Sequence, residues 1–116
     1  MAYQFLNLDY LELMAGGDQT DRRRLLEMLE KDLSEYPQLM QQTLEEEDWQ
    51  KLERQAHYFK STLPFTGYQA LIQTHHSVYQ NIKEAANRTN IPKQLSQVEA
   101  FCQAVRAEVQ EELEKG

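Results

Sequence analysis

Apolar positions along this chain recur at steps of three and four and never alternate over a strand length, so the pattern predicts helices throughout. The clearest stripe is Trp49, Leu52, Ala56, Phe59 and Leu63, the buried side of one amphipathic helix. His57 falls off that stripe. At about 100° per residue it groups with Glu53, Arg54, Lys60, Ser61 and Pro64 on the polar side of the same helix. Upstream, Leu25, Leu26, Leu29, Leu33, Tyr36, Met40 and Leu44 keep another face apolar, with Pro37 inside the pattern and expected to kink that helix without changing its buried face. Downstream, Leu71 or Ile72, His75, Val78 or Tyr79, Ile82 and Ala85 or Ala86 mark a third long helix. Leu95, Val98, Cys102, Val105 and Val109 then form a heptad-like seam on a fourth.

Punctuation between these stripes sets the connections. Tyr3 to Met14 is a short apolar segment with Asn7 or Asp9 near a helix start and Gly16-Gly17 as a stop, too brief to be stable alone and expected to cap one end of the fold. Asp18 or Thr20 caps the next helix, whose first turn carries Asp21. Carboxylates oppose a helix end and favour a helix start, which places a turn at Glu45-Glu46-Glu47-Asp48 with Asp48 capping the helix that begins at Trp49. That helix is expected to end near Pro64, followed by a turn and new cap at Thr66-Gly67. Asn87-Arg88-Thr89-Asn90 ends the third long helix, Pro92 suits the first turn of the fourth, and residues 111–116 are expected to fray. The result is an all-α chain, an antiparallel up-and-down four-helix bundle with a short N-terminal capping helix, in a single domain over residues 1–116.

Composition narrows the function. Twelve basic against nineteen acidic residues give a net charge of −7, and no basic stripe is longer than Arg22-Arg23-Arg24, which argues against a nucleic-acid partner. No apolar run is long enough to cross a membrane and the N-terminus lacks the order of a signal peptide, so a cytoplasmic protein is expected. Cys102, the lone cysteine, reads as a small core residue. His75 and His76 are neighbours on a helix and point about 100° apart, so they do not chelate one ion together. His75 reads as a hydrogen-bonded core histidine, and His76 shares a polar face with Gln69, Gln73, Gln80 and Lys83. No Gly-rich phosphate loop, Ser/His/Asp set or paired cysteine ligands point to autonomous catalysis, and no metal site is expected.

What remains is the exposed histidine. Imidazole titrates at about 6.5 in model peptides, so near neutral pH it carries a free lone pair and accepts a phosphoryl group without a dedicated base. Phosphoryl transfer needs positioning and a cation to offset charge on the equatorial oxygens. Lys60, one turn along, is placed to supply that cation, and Ser61 is within one turn for a hydrogen bond to a phosphoryl oxygen.

Ala56-His57-x-x-Lys60-Ser61-Thr62, followed by Gly67, resembles the signature of histidine-containing phosphotransfer (HPt) domains of multistep phosphorelays. Leu8-Asp9-Tyr10-Leu11, Gly16-Gly17-Asp18, and Asp48-Trp49 eight residues before His57 extend the resemblance through most of the chain. It implies a four-helix bundle with a short N-terminal helix, in which His57 is the phospho-acceptor, Lys60 stabilises the phosphoryl group and Gly67 is a packing or turn glycine. It also implies partners: response-regulator receiver domains, which bring their own Mg2+, and a hybrid sensor histidine kinase. Two positions depart from the family pattern. Ser61 stands where glycine is frequent, and on the following helix Tyr79, Gln80 and His76 compete for the place of a polar neighbour to His57. Tyr10, Met14 and Tyr58 are the candidates for an apolar docking centre, in a transient complex made by a monomer without kinase activity of its own. The alternatives are a non-phosphorylated helical adaptor for receiver or kinase domains, and the phospho-acceptor module of a chemotaxis-type kinase.

Overall fold

The computed structural model describes residues 3–115. Five helices follow in chain order: α1 (Asp9–Ala15), α2 (Gln19–Glu45), α3 (Trp49–Lys60), α4 (Gln69–Lys83) and α5 (Ile91–Lys115). No strand occurs among the described residues. The 27 residues of α2, at about 1.5 Å each, reach roughly 40 Å. That is the 42 Å long axis of the molecule.

Local chemistry sets the boundaries. Gly16 closes α1 with φ 61°, a left-handed conformation that is cheap only without a Cβ. The Asp18 carboxylate accepts the amides of Thr20 at 2.8 Å and Asp21 at 3.1 Å, satisfying two donors that α2 leaves open. Asp48 does the same for α3 through the Lys51 amide at 3.2 Å. α2 continues through Pro37, which is buried within it.

Three expected boundaries move, one of them at α4, which ends at Lys83, short of the Ala85 or Ala86 expected on its stripe. α3 stops at Lys60 rather than near Pro64, and Leu63–Thr66 form a separate tight helical turn. The Ser61 hydroxyl donates to the Tyr58 carbonyl at 2.7 Å, and Pro64 both lacks an amide and restricts Leu63, so the α-helical ladder has no continuation. Of the residues expected to fray, 111–115 are helical and tied down, and Gly116 lies outside the described residues. Glu112 accepts from Tyr3 Oη at 2.6 Å and from Arg22 Nη2 at 2.8 Å, and Lys115 Nζ donates to Tyr3 Oη at 2.9 Å. These hydrogen bonds, from Tyr3 first and then Arg22, hold the Glu112 carboxyl below the usual glutamate range.

α2 packs beside α3 and α5, and α4 beside α3 and α5, closing a four-membered ring around the core. Contact registers between neighbours run in opposite directions: Arg22 meets Glu112 while Glu30 meets Arg106, and Tyr68 meets Phe101 while Asn81 meets Gln94. Leu29, Met40, Leu52, Phe59, Val78, Ile91, Val98 and Val105 fill the interior without exposure. At one pole Arg88 lies over the Trp49 ring, 4.1 Å from its centroid. At the other, residues 3–8 form a strap without regular secondary structure. One carboxylate, Glu108, accepts the successive amides of Gln4, Phe5 and Leu6 at 3.0, 2.9 and 2.8 Å, and the Asn7 amide donates to the Thr66 carbonyl at 2.9 Å. α1 then lies against α2 and the Leu63–Thr66 turn.

Candidate functional site

The stripe Leu52, Ala56 and Phe59 is fully buried, and this fixes the rotation of α3 about its axis. His57 and Lys60 consequently face water one turn apart. On the α4 side of His57, Tyr79 Oη lies 3.3 Å from His57 Nδ1, a long hydrogen bond, with the two ring centroids 5.7 Å apart. Of the three neighbours open on the sequence, Tyr79 is the one that reaches the imidazole. It is almost entirely buried, so its hydroxyl is held in place rather than free to swing.

The Lys60 ammonium sits over the same Tyr79 ring, 5.1 Å from its centroid. Among the described residues no carboxylate comes within salt-bridge distance of it. Its charge is therefore not neutralised by an internal partner and is oriented beside the imidazole. Ser61 is exposed, and the proton of its hydroxyl is committed to the Tyr58 carbonyl. Contact with a phosphoryl oxygen requires another Ser61 rotamer. Thr62 points the other way, buried, and donates to Asp32 of α2 at 2.8 Å.

Gly67 acts through the backbone. Its φ is 60°, and a Cβ built there would stand 2.5 Å from the Asn7 carbonyl oxygen. The glycine thus lets the strap cross the turn after α3. Tyr10 packs against Phe65 of that turn in a tilted arrangement, with centroids 5.1 Å apart, and Tyr58 stacks on Tyr36 of α2 at 5.5 Å. Both remain substantially exposed, as does Met14. Leu13, 74% exposed, and Leu39, which lies off the apolar stripe of α2, are further exposed leucines.

His75 is fully buried and its Nε2–H donates to the Ala56 carbonyl at 2.8 Å. Burial pushes its pKa below the ordinary histidine value, a shift the Ala56 bond opposes and the charges of His76 and Lys60 reinforce. His76 is exposed on α4. Cys102 is buried in α5, and burial raises its thiol pKa. Among the described residues no three His, Cys, Asp or Glu side chains gather into a metal-ligand set, and no helix is long and apolar enough to cross a membrane.

With Nδ1 engaged by Tyr79, the second ring nitrogen of His57, Nε2, is the one left for chemistry. When Nδ1 carries the proton and donates to Tyr79 Oη, Nε2 presents a lone pair, and the oriented Lys60 cation lies on the same helix face. The arrangement suits a nucleophile that receives an anionic group. A family model described as the Hpt domain matches residues 24–108, a range that contains His57, Lys60, Gly67 and Tyr79. Comparisons with curated proteins and with solved structures return no match. Hpt domains serve histidine phosphotransfer in phosphorelays and interact with the receiver and kinase domains of those relays. From a match over most of its length, this chain belongs to the Hpt domain family.

Proposed function

We propose that this chain is a phosphoryl carrier that takes its group on His57 from a receiver-domain aspartyl-phosphate and delivers it to another receiver. The observation that carries this reading is the pairing of His57 Nδ1 with Tyr79 beside an unneutralised Lys60. In the forward step the Nε2 lone pair attacks phosphorus, the bond from phosphorus to the aspartyl oxygen breaks, and the aspartate leaves with that electron pair. The N–P bond forms on an imidazolium that keeps its proton on Nδ1, where it donates to Tyr79 Oη. Lys60 offsets charge on the equatorial oxygens during transfer. Delivery is the same exchange in reverse: a second receiver's aspartate attacks phosphorus and the imidazole departs neutral. Mg2+ belongs to the receiver's own site in this scheme. Tyr10, Met14 and Tyr58 are assigned to the docking surface, and the chain acts as a monomer in the cytoplasm.

The test is incubation with a panel of radiolabelled phospho-receivers. Acid-labile label on the wild type and none on His57→Gln is expected, whereas label retained by that variant sinks the assignment. Receiver binding without phosphoryl exchange favours the adaptor instead.

A further inference from the structure

Two residues of α4 grip the same turn of α3, one behind the other. His75 and Tyr79 are one turn apart on α4, and Ala56 with His57, and Phe59 with Lys60, are one turn apart on α3. The outer contact is Tyr79, with its hydroxyl at His57 Nδ1 and its ring under the Lys60 ammonium. The inner contact is His75, with Nε2–H on the Ala56 carbonyl and its ring edge-on to Phe59, centroids 5.3 Å apart at 88°. We propose that His75 is a positioning residue for His57: it pins the α3 turn that carries the acceptor at a fixed rotation and height against α4. This deepens the carrier function proposed above and rests on it.

Simple packing does not account for an imidazole here. A carbonyl inside a helix already has the amide four residues on as its partner, so Ala56 does not need the His75 bond for its own satisfaction. His75 Nδ1 is buried with no hydrogen-bond partner among the described residues, an arrangement that carries a desolvation cost. A leucine or methionine would occupy the space without that cost, but without a directional bond of fixed length. Such a bond controls rotation. Turning a helix by 10° displaces atoms at its side-chain radius of about 5–6 Å by about 1 Å. The 3.3 Å contact between His57 and Tyr79 does not survive a displacement of that size. Burial keeps His75 neutral, so the ring holds one tautomer, with the proton on Nε2 and facing Ala56.

The experiment compares His75→Met, which fills the volume without a donor, with His75→Gln, which keeps an amide N–H of similar reach. Ring-nitrogen chemical shifts of His57 report its tautomer and hydrogen bonding, and phosphoramidate serves as the small-molecule phosphoryl donor. In the methionine variant the His57 shifts are expected to move toward those of free imidazole, with phosphorylation slowed about 10- to 100-fold. The glutamine variant is expected to recover most of both. A folded methionine variant with wild-type His57 shifts and rate overturns the proposal. If neither variant folds, the unmodified protein decides, since a His75 ring found in its Nδ1–H tautomer has no bond to Ala56 and overturns the pin. Phosphoramidate that labels no form of the protein counts against the carrier reading, and the His57 ring shifts then judge the positioning role by themselves.

Discussion

Gly67 and Asn7 approach so closely that a Cβ on residue 67 would fall 2.6 Å from the Cβ of residue 7 as well as against its carbonyl oxygen. Neither atom is the end of a flexible side chain, so an added methyl group must push the strap away. Gly67→Ala combines a left-handed φ, worth about 1–2 kcal/mol for a residue with a Cβ, with overpacking of about 1–3 kcal/mol. A loss of about 2–5 kcal/mol in unfolding free energy is expected from those two effects. Chemical denaturation followed by circular dichroism measures it, and a change below 1 kcal/mol, on the order of an ordinary surface substitution, contradicts the contact.

Tyr79→Phe keeps the ring beneath Lys60 and removes only the hydroxyl at His57. A neutral hydrogen bond of about 0.5–1.5 kcal/mol corresponds to about a two- to tenfold slower phosphoryl transfer. Lys60→Ala removes the cation itself and is expected to slow transfer more, by about 10- to 100-fold, on the scale of about 1.5–3 kcal/mol for one hydrogen bond to a charged group. Single-turnover transfer from a phospho-receiver ranks the two, and equal rates in Lys60→Ala and wild type remove its assigned role.

Glu108→Gln replaces a full charge with an amide whose oxygen still accepts on one side, while its NH2 group faces the donor or donors that the other carboxylate oxygen served. Hydrogen bonds to a charged group contribute about 1.5–3 kcal/mol, so the amides of Gln4, Phe5 and Leu6 should exchange with solvent about 10- to 100-fold faster. Amides in the middle of α2 should be unaffected. Uniform acceleration across the protein would point to global destabilisation instead of strap release.

Acid should weaken the fold in two separate windows. The unfolded chain protonates His75 at about 6.5, whereas burial lowers the native value. Below about 6.5 the unfolded state therefore binds more protons, and stability falls with pH by at most about 1.4 kcal/mol per unit until the native ring also titrates. Above that range this ring adds no pH dependence. Glu112, lowered from 4.5 by its bonds to Tyr3 and Arg22, stabilises above that pH, and its contribution is lost as pH falls through its lower native value. Denaturation midpoints across a pH series in wild type and His75→Met isolate the upper window, and parallel curves there would refute it.

The sequence disclosed what is local and periodic. The Leu52, Ala56 and Phe59 stripe fixes the phase of α3, hence the exposure of His57 and Lys60, the α4 stripe through Leu71, Val78 and Ile82 does the same for the burial of His75, and the caps at Asp18 and Asp48 are side chains meeting amides two or three residues on. Tyr79 was harder to single out, because Val78 and Tyr79 satisfy the same stripe and both are buried. The end of α3 hinges on the Ser61 rotamer, a choice that spacing does not encode. The strap is illegible for another reason. Glu108 and Glu112 look like solvated acids of a polar terminus, and their partners lie about a hundred residues away, at Tyr3 to Leu6.

Because Tyr3 touches both Glu112 and Lys115, the described segment starts and finishes at one pole, opposite the Trp49–Arg88 pair. A linker of a few residues at about 3.3–3.6 Å each would bridge those ends with little loop entropy. The bundle is thus topologically suited to circular permutation, with new ends in the connection between Lys83 and Ile91. Polypeptide fused before Tyr3 or after Lys115 leaves from that shared pole, so a single tether geometry serves either fusion.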